Sequence, residues 1–160
     1  MKEIYRNAAG QLLKVRIVML VSLPVAAAAC WWGWDTYSTY GLRPADGGVL
    51  APFGTRLAFG GFIALFGLAI AFGMWLYGTV YVAALDRDEG TGLFHIRTLG
   101  FFGTRASSFS EADVSGAKYH SGDFFVPGAP FVRAPWTSVR VAGRRLPYVF
   151  DAQGKWRKFK

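Results

Sequence analysis

Two histidines, one cysteine and ten acidic residues are the His, Cys, Asp and Glu side chains that this chain of 160 residues offers for acid–base catalysis or metal binding. His95 and His120 lie in the C-terminal half, while Cys30 sits in an apolar run far from both, so no Cys/His ligand spacing can be drawn. The single cysteine also excludes an intrachain disulfide. His95 falls in an alternating stretch, where an exposed or capped histidine is the ordinary outcome. Asp86, Asp88 and Glu89 before Gly90 look like the opening of a calcium loop. The terminal glutamate is missing, however, since Arg97 stands eleven residues beyond Asp86, and the segment reads as a hydrophilic turn. Gly100-Phe101-Phe102-Gly103 is too short for a phosphate loop and lacks its lysine. These residues predict a protein that is not an enzyme and has no cofactor and no metal.

The elements that would position any such groups are dominated by two apolar runs. Residues 57–85 pass 29 positions without a charge, and residues 17–34 pass 18. About 20 apolar residues cross a bilayer core as a helix, so two crossings are expected, at 17–35 and 57–85. Neither run holds an ionisable carrier for a proton or ion path, nor a histidine to ligate haem. Residues 1–16 read as an amphipathic lead-in, with Ile4, Tyr5, Ala8, Leu12 and Val15 at near-helical spacing. Pro24 removes a backbone donor and predicts a kink. The Gly- and Pro-rich connector 36–56 reads as an external loop.

Small residues recur along both runs. Ser22, Ala26, Ala29 and Gly33 share one helical face, and Gly60, Ala64, Gly67, Ala71 and Gly78 repeat the rhythm on the second. Such stripes let helix backbones approach closely in lipid, either within a hairpin or against another subunit. Gly61 and Gly73 lie off the main stripe and offer further smooth surface. Trp31, Trp32, Trp34, Tyr37 and Tyr40 cluster where the first run ends, as an interfacial aromatic belt does.

With 18 Lys+Arg against 10 Asp+Glu the net charge is +8, yet 52% of the residues are hydrophobic, too apolar for an ordinary soluble nucleic-acid binder. Basic residues dominate before the first run (Lys2, Arg6, Lys14, Arg16) and after the second, while the connector is balanced. Lys and Arg resist translocation, which predicts both termini in the cytoplasm. Ala27-Ala28-Ala29-Cys30 suggests a lipoprotein signal only weakly, because Trp31 follows, and the opening residues do not resemble a mitochondrial presequence. A bacterial inner membrane is the expected location, with the mitochondrial inner membrane as the alternative.

From Asp86 the pattern changes to short strands. Residues 93–99 alternate, 100–103 turn, 104–109 pair back, and 110–113 form a helical turn or cap. A second hairpin runs over 137–141 and 146–150 around Ala142-Gly143-Arg144, closed by a turn at 151–154, and 119–135 is loop and edge strand. The fold class is membrane α + β: a two-helix transmembrane hairpin followed by a small antiparallel β-rich cytoplasmic domain, 86–160. Arg144, Arg145, Lys155, Arg157, Lys158 and Lys160 form a basic end. Anionic headgroups attract such residues by about 1 kcal/mol each. RNA is a weaker alternative without a recognition motif, and nothing points to DNA.

The order of two close spans, Tyr81-Val82, a charged turn, Leu93-Phe94-His95-Ile96-Arg97-Thr98, Phe101-Phe102-Gly103 and a closing Val139 to Asp151 segment resembles a family of mitochondrial inner-membrane proteins. These are transmembrane protein 70 and its relatives 186 and 223, and the likeness covers residues 57–154. It implies a non-enzymatic part in respiratory-chain or ATP-synthase complexes and carries over no catalytic residues. The expected function is a structural, assembly or accessory subunit of an energy-transducing complex (respiratory, ATP-synthesising or photosynthetic), with other membrane subunits and anionic lipids as partners. The alternative is a lipid- or RNA-binding membrane module acting through the basic end.

Overall fold

The structure, a computed structural model, describes residues 1–43, 47–124 and 132–156. It divides into two compact units: Ile17–Leu76, and Met1–Arg16 together with the described residues from Tyr77 onward.

The first of these holds most of two long helices, α1 (Ala9–Thr39) and α2 (Phe53–Val80), both long and apolar enough to cross a membrane. Their apolar windows are only 17% and 11% buried, unlike the core helix of a globular protein. Helix α1 continues through Pro24 and stops at Gly41, whose φ of +96° suits only a residue without Cβ. Beyond it, the Ala51 amide donates to the Tyr40 carbonyl and closes the loop. The connector is thus shorter than residues 36–56, because both helices extend into it.

The second unit is antiparallel β structure. One sheet has the order β10-β1-β2-β3-β4, formed by β1 (Lys2–Arg6), β2 (Val82–Arg87), β3 (Phe94–Gly100), β4 (Gly103–Phe109) and β10 (Lys155–Trp156). A second has the order β5-β8-β9, formed by β5 (Val114–His120), β8 (Trp136–Val141) and β9 (Tyr148–Asp151). A two-stranded piece joins β6 (Asp123–Phe124) to β7 (Val132–Arg133). Ile4, Tyr5, Val82, Leu85, Ile96, Val141, Tyr148 and Phe150 form one core drawn from both larger sheets, with Phe94, Phe109 and Val139 packed against it.

The two hairpins expected from alternation are present as β3–β4 and β8–β9, and the turn at Glu111–Asp113 follows a capping Ser110. The hydrophilic turn is held by Asp88, whose carboxylate accepts from the Thr91 hydroxyl (2.8 Å) and the Gly90 amide (3.0 Å). Those bonds, the Thr91 hydroxyl foremost, hold its carboxyl below the ordinary carboxylate range.

Three expected boundaries differ. Residues 1–16 are not one helical lead-in: Lys2–Arg6 is a strand, and α1 starts at Ala9. The second apolar run does not stay helical to residue 85, since α2 ends at Val80 and Val82–Arg87 pairs in the sheet. The β unit therefore does not begin at residue 86 but includes the N-terminal strand and β2. In both strands a bulge breaks the register, between Glu3 and Tyr5 and between Val82 and Ala84. Each bulge lets neighbouring residues face the core together, which erases the period-two signature.

Candidate functional site

Within the helix pair, the two small-residue stripes meet each other. A Cβ on Gly33 would lie 2.5 Å from the Gly60 carbonyl oxygen and 3.0 Å from the Ala64 methyl. The converse holds for Gly60 against Gly33, and a Cβ on Gly67 would strike the Ala29 methyl beside Ala26. Ser22, Ala26, Gly33, Gly60 and Gly67 are buried, and Ala29, Ala64 and Ala71 are half-buried. The Ser22 hydroxyl donates to the Met19 carbonyl at 2.6 Å, so the polar atom on this face is satisfied within its own helix. Gly78 is buried as well but belongs to the β-containing unit. By contrast, a Cβ on Gly61 or Gly73 would meet nothing within 4 Å.

The belt residues divide. Trp31, Trp32 and Trp34 are 76%, 64% and 66% exposed, while Tyr37 packs edge-on against Phe53 and Tyr40 against Phe59. Arg56 lies over the Tyr37 ring and donates to its carbonyl at 3.2 Å. Cys30 is free and half-buried.

The basic set also divides. Arg145 and Lys155 are exposed, but Arg144 is tied into the fold. Its guanidinium lies 3.8 Å from the Tyr148 ring centre and donates to the carbonyls of Thr79 and Leu146. Arg144, expected among the lipid- or partner-facing cations, thus has two donors and one face of its guanidinium engaged within the fold. Arg157, Lys158 and Lys160 lie outside the described residues.

His95 stands on β3 across from Ser108, and His120 ends β5. Among the described residues, no group of three or more His, Cys, Asp or Glu is placed to hold a metal ion.

A constellation absent from the sequence reading appears where β5 pairs with β8. Register sets Gly116 opposite Arg140, Lys118 opposite Ser138, and His120 opposite Trp136. Opposed residues in an antiparallel pair point to the same side, so all six share one face. The His120 and Trp136 rings stack at 3.8 Å and 12°, and the His120 Nε2 lies 3.0 Å from the Ser138 hydroxyl. A groove of about 510 Å³ runs over this face, lined also by Ser115 and Pro147. Once β5 is recognised as a strand, the alternation Gly116, Lys118, His120 is the signal.

The remaining polar cluster is structural. Tyr5 donates from its hydroxyl to the Asp151 carbonyl (3.0 Å), and Tyr81, just past α2, donates to the Asp151 carboxylate (2.9 Å). Burial, reinforced by the nearby carboxylate, pushes both phenols well above their ordinary range. The Asn7 amide donates to the Val82 carbonyl at 3.1 Å and locks the end of β1 to β2.

Compared with known families, with curated proteins and with solved structures, the chain matches none.

Proposed function

We propose that this chain is a two-span membrane protein with both ends in the cytoplasm, whose output is contact rather than reaction. It serves as a structural, assembly or accessory subunit of a larger energy-transducing membrane complex. The observation that carries the two-span topology is the pairing of β1, before α1, with β2, after α2. Two strands that exchange backbone hydrogen bonds occupy one compartment, so a chain that leaves it through α1 returns through α2. The basic flanks support the cytoplasm as that compartment, because Lys and Arg resist translocation.

Large apolar side chains left in the open support insertion: Phe62, Leu65 and Phe66 are 68%, 67% and 61% exposed. The respiratory, ATP-synthesising or photosynthetic setting, in a bacterial or mitochondrial inner membrane, rests on the resemblance of the motif order to the transmembrane protein 70 family alone. Because the main glycine stripe is spent inside the helix pair, partner helices would approach the open surface around Gly61 and Gly73.

The test has two parts. In a chain with Cys30→Ser, single cysteines placed at Lys2, Val49 and Arg145 are probed with an impermeant thiol reagent. Lys2 and Arg145 should react from one side and Val49 from the other. Labelling of positions 2 and 145 from opposite sides would overturn the topology. Native mass spectrometry of gently solubilised membranes should then show partner subunits that are lost with Gly61→Leu or Gly73→Leu. Retention of all partners by both variants would remove this surface as an interface.

A further inference from the structure

We propose that the groove over the β5–β8 pair is a binding site for a phosphate group. The inference does not rest on the accessory-subunit reading, and Arg144, Arg145 and Lys155 of the basic end do not line this face.

Charge and spacing carry it. Lys118 and Arg140 are diagonal neighbours across the ladder, flanking Ser138. Such positions are about 7–8 Å apart at the backbone, close enough for both side chains to converge on one anion. Neither forms an ion pair with any described residue. Between them stand a hydroxyl and an imidazole, and the imidazole is held in place by its stack on Trp136 and its contact with Ser138. Among the described residues, no acidic side chain lines the groove.

The two fixed positive charges balance a phosphate dianion, and the arginine fork suits its tetrahedral oxygens. Gly116 completes the site by omission. A Cβ there would meet nothing within 4 Å, so the floor opposite Arg140 is left open without any packing need for glycine. Glycine is a poor strand residue, so a vacant floor is a reason for its presence.

The same chemistry is offered by free phosphate esters and by lipid headgroups, and the assay separates them. The full chain in dodecyl maltoside at low salt is titrated calorimetrically with inorganic phosphate and with glycerol phosphate. The titration is then repeated in mixed micelles containing phosphatidylglycerol. Saturable binding is expected, weakened roughly tenfold or more by Lys118→Gln and by Arg140→Gln, as loss of one charge-assisted contact implies. Gly116→Val keeps both cations and should weaken binding as well, by filling the floor. Arg145→Gln, an exposed cation elsewhere, should leave it unchanged. Competition by phosphatidylglycerol that disappears in Arg140→Gln identifies a headgroup ligand; its absence identifies a soluble phosphate ester. No saturable uptake of any of the probes, or an equal loss in Arg145→Gln and Arg140→Gln, overturns the site.

Discussion

The Tyr5 hydroxyl donates to the backbone carbonyl of Asp151, 146 residues further along the chain. The Tyr5 ring is fully buried, edge-on to Phe150 at 5.1 Å and tilted against Trp156 at 4.8 Å. The Asp151 carboxylate in turn accepts from Tyr81, which follows α2 directly. The strand before the two helices and two segments that follow them are thus joined around one aspartate. That junction makes the N-terminal strand part of the β core rather than a tail.

Truncating Tyr5 should therefore act on the whole β unit. Tyr5→Ala removes a fully buried aromatic ring and should cost about 3–5 kcal/mol. Tyr5→Phe keeps the ring and should cost about 1 kcal/mol, the worth of one hydrogen bond. Gly154→Val should resemble the alanine variant, because a side chain there would run into the Tyr5 ring. Thermal unfolding in detergent, followed by near-ultraviolet circular dichroism, ranks the three. A Tyr5→Ala variant as stable as the parent would remove β1 from the core.

Alkaline pH should unfold the same unit. Tyr5 and Tyr81 have folded-state pKa values raised above the ordinary 10.0, chiefly by burial. Their stabilising contribution is complete below pH 10 and is lost as pH rises toward the folded values, because the unfolded phenols ionise first. The slope should be up to about 1.4 kcal/mol per pH unit for each tyrosine. Denaturation midpoints measured between pH 8 and 11 should fall above 10, and less steeply in a Tyr5→Phe, Tyr81→Phe double variant. An unchanged slope in that variant would assign the alkaline loss to other groups.

What could be read in advance follows from how local each element is. The β3–β4 and β8–β9 hairpins announce themselves through alternation on either side of a short turn, and their partners are adjacent in sequence. β1 gave no such sign, because its partner is β2 and its bulge buries Ile4 and Tyr5 side by side. Val82, Ala83, Ala84 and Leu85 are all buried and prolong the apolar run of α2, so hydropathy merges strand with helix. β5 is exposed along nearly all its length and contains Gly116, leaving no hydrophobic face to detect. The groove depends on β5, and for that reason it was invisible until pairing was known. The glycine stripes were legible because helical spacing alone places small residues on one face, without reference to what they meet.

Substitutions along the helix pair should sort by what each glycine faces. Gly33→Ala and Gly60→Ala both press a methyl onto the opposing backbone carbonyl, which has no rotamer by which to yield. Each should cost about 1–3 kcal/mol of hairpin stability. Gly61→Ala and Gly73→Ala meet open space and should be neutral or favourable by up to about 1 kcal/mol, since alanine is the better helix former. Sodium dodecyl sulfate titration of Trp75 fluorescence, in a background with the other five tryptophans replaced by phenylalanine, measures the difference. Equal effects at all four positions would mean that the seam is loose.

The two adjacent arginines should behave as different kinds of residue. Arg144 donates to the Thr79 and Leu146 carbonyls and covers the buried Tyr148 ring, whereas Arg145 is exposed. Arg144→Met should lower the stability of the β unit by about 1–3 kcal/mol, through lost charge-assisted donors and a lost cation–π contact. Arg144→Lys should recover little, because an ammonium cannot reproduce a planar fork that bonds two carbonyls while stacking. Arg145→Gln should leave stability within about 0.5 kcal/mol of the parent and, if the basic end meets anionic lipid, should weaken vesicle binding instead. Melting temperature and co-sedimentation with phosphatidylglycerol vesicles, measured on the same preparations, separate the two effects. Arg144→Met with parental stability and reduced vesicle binding would return that residue to the surface set.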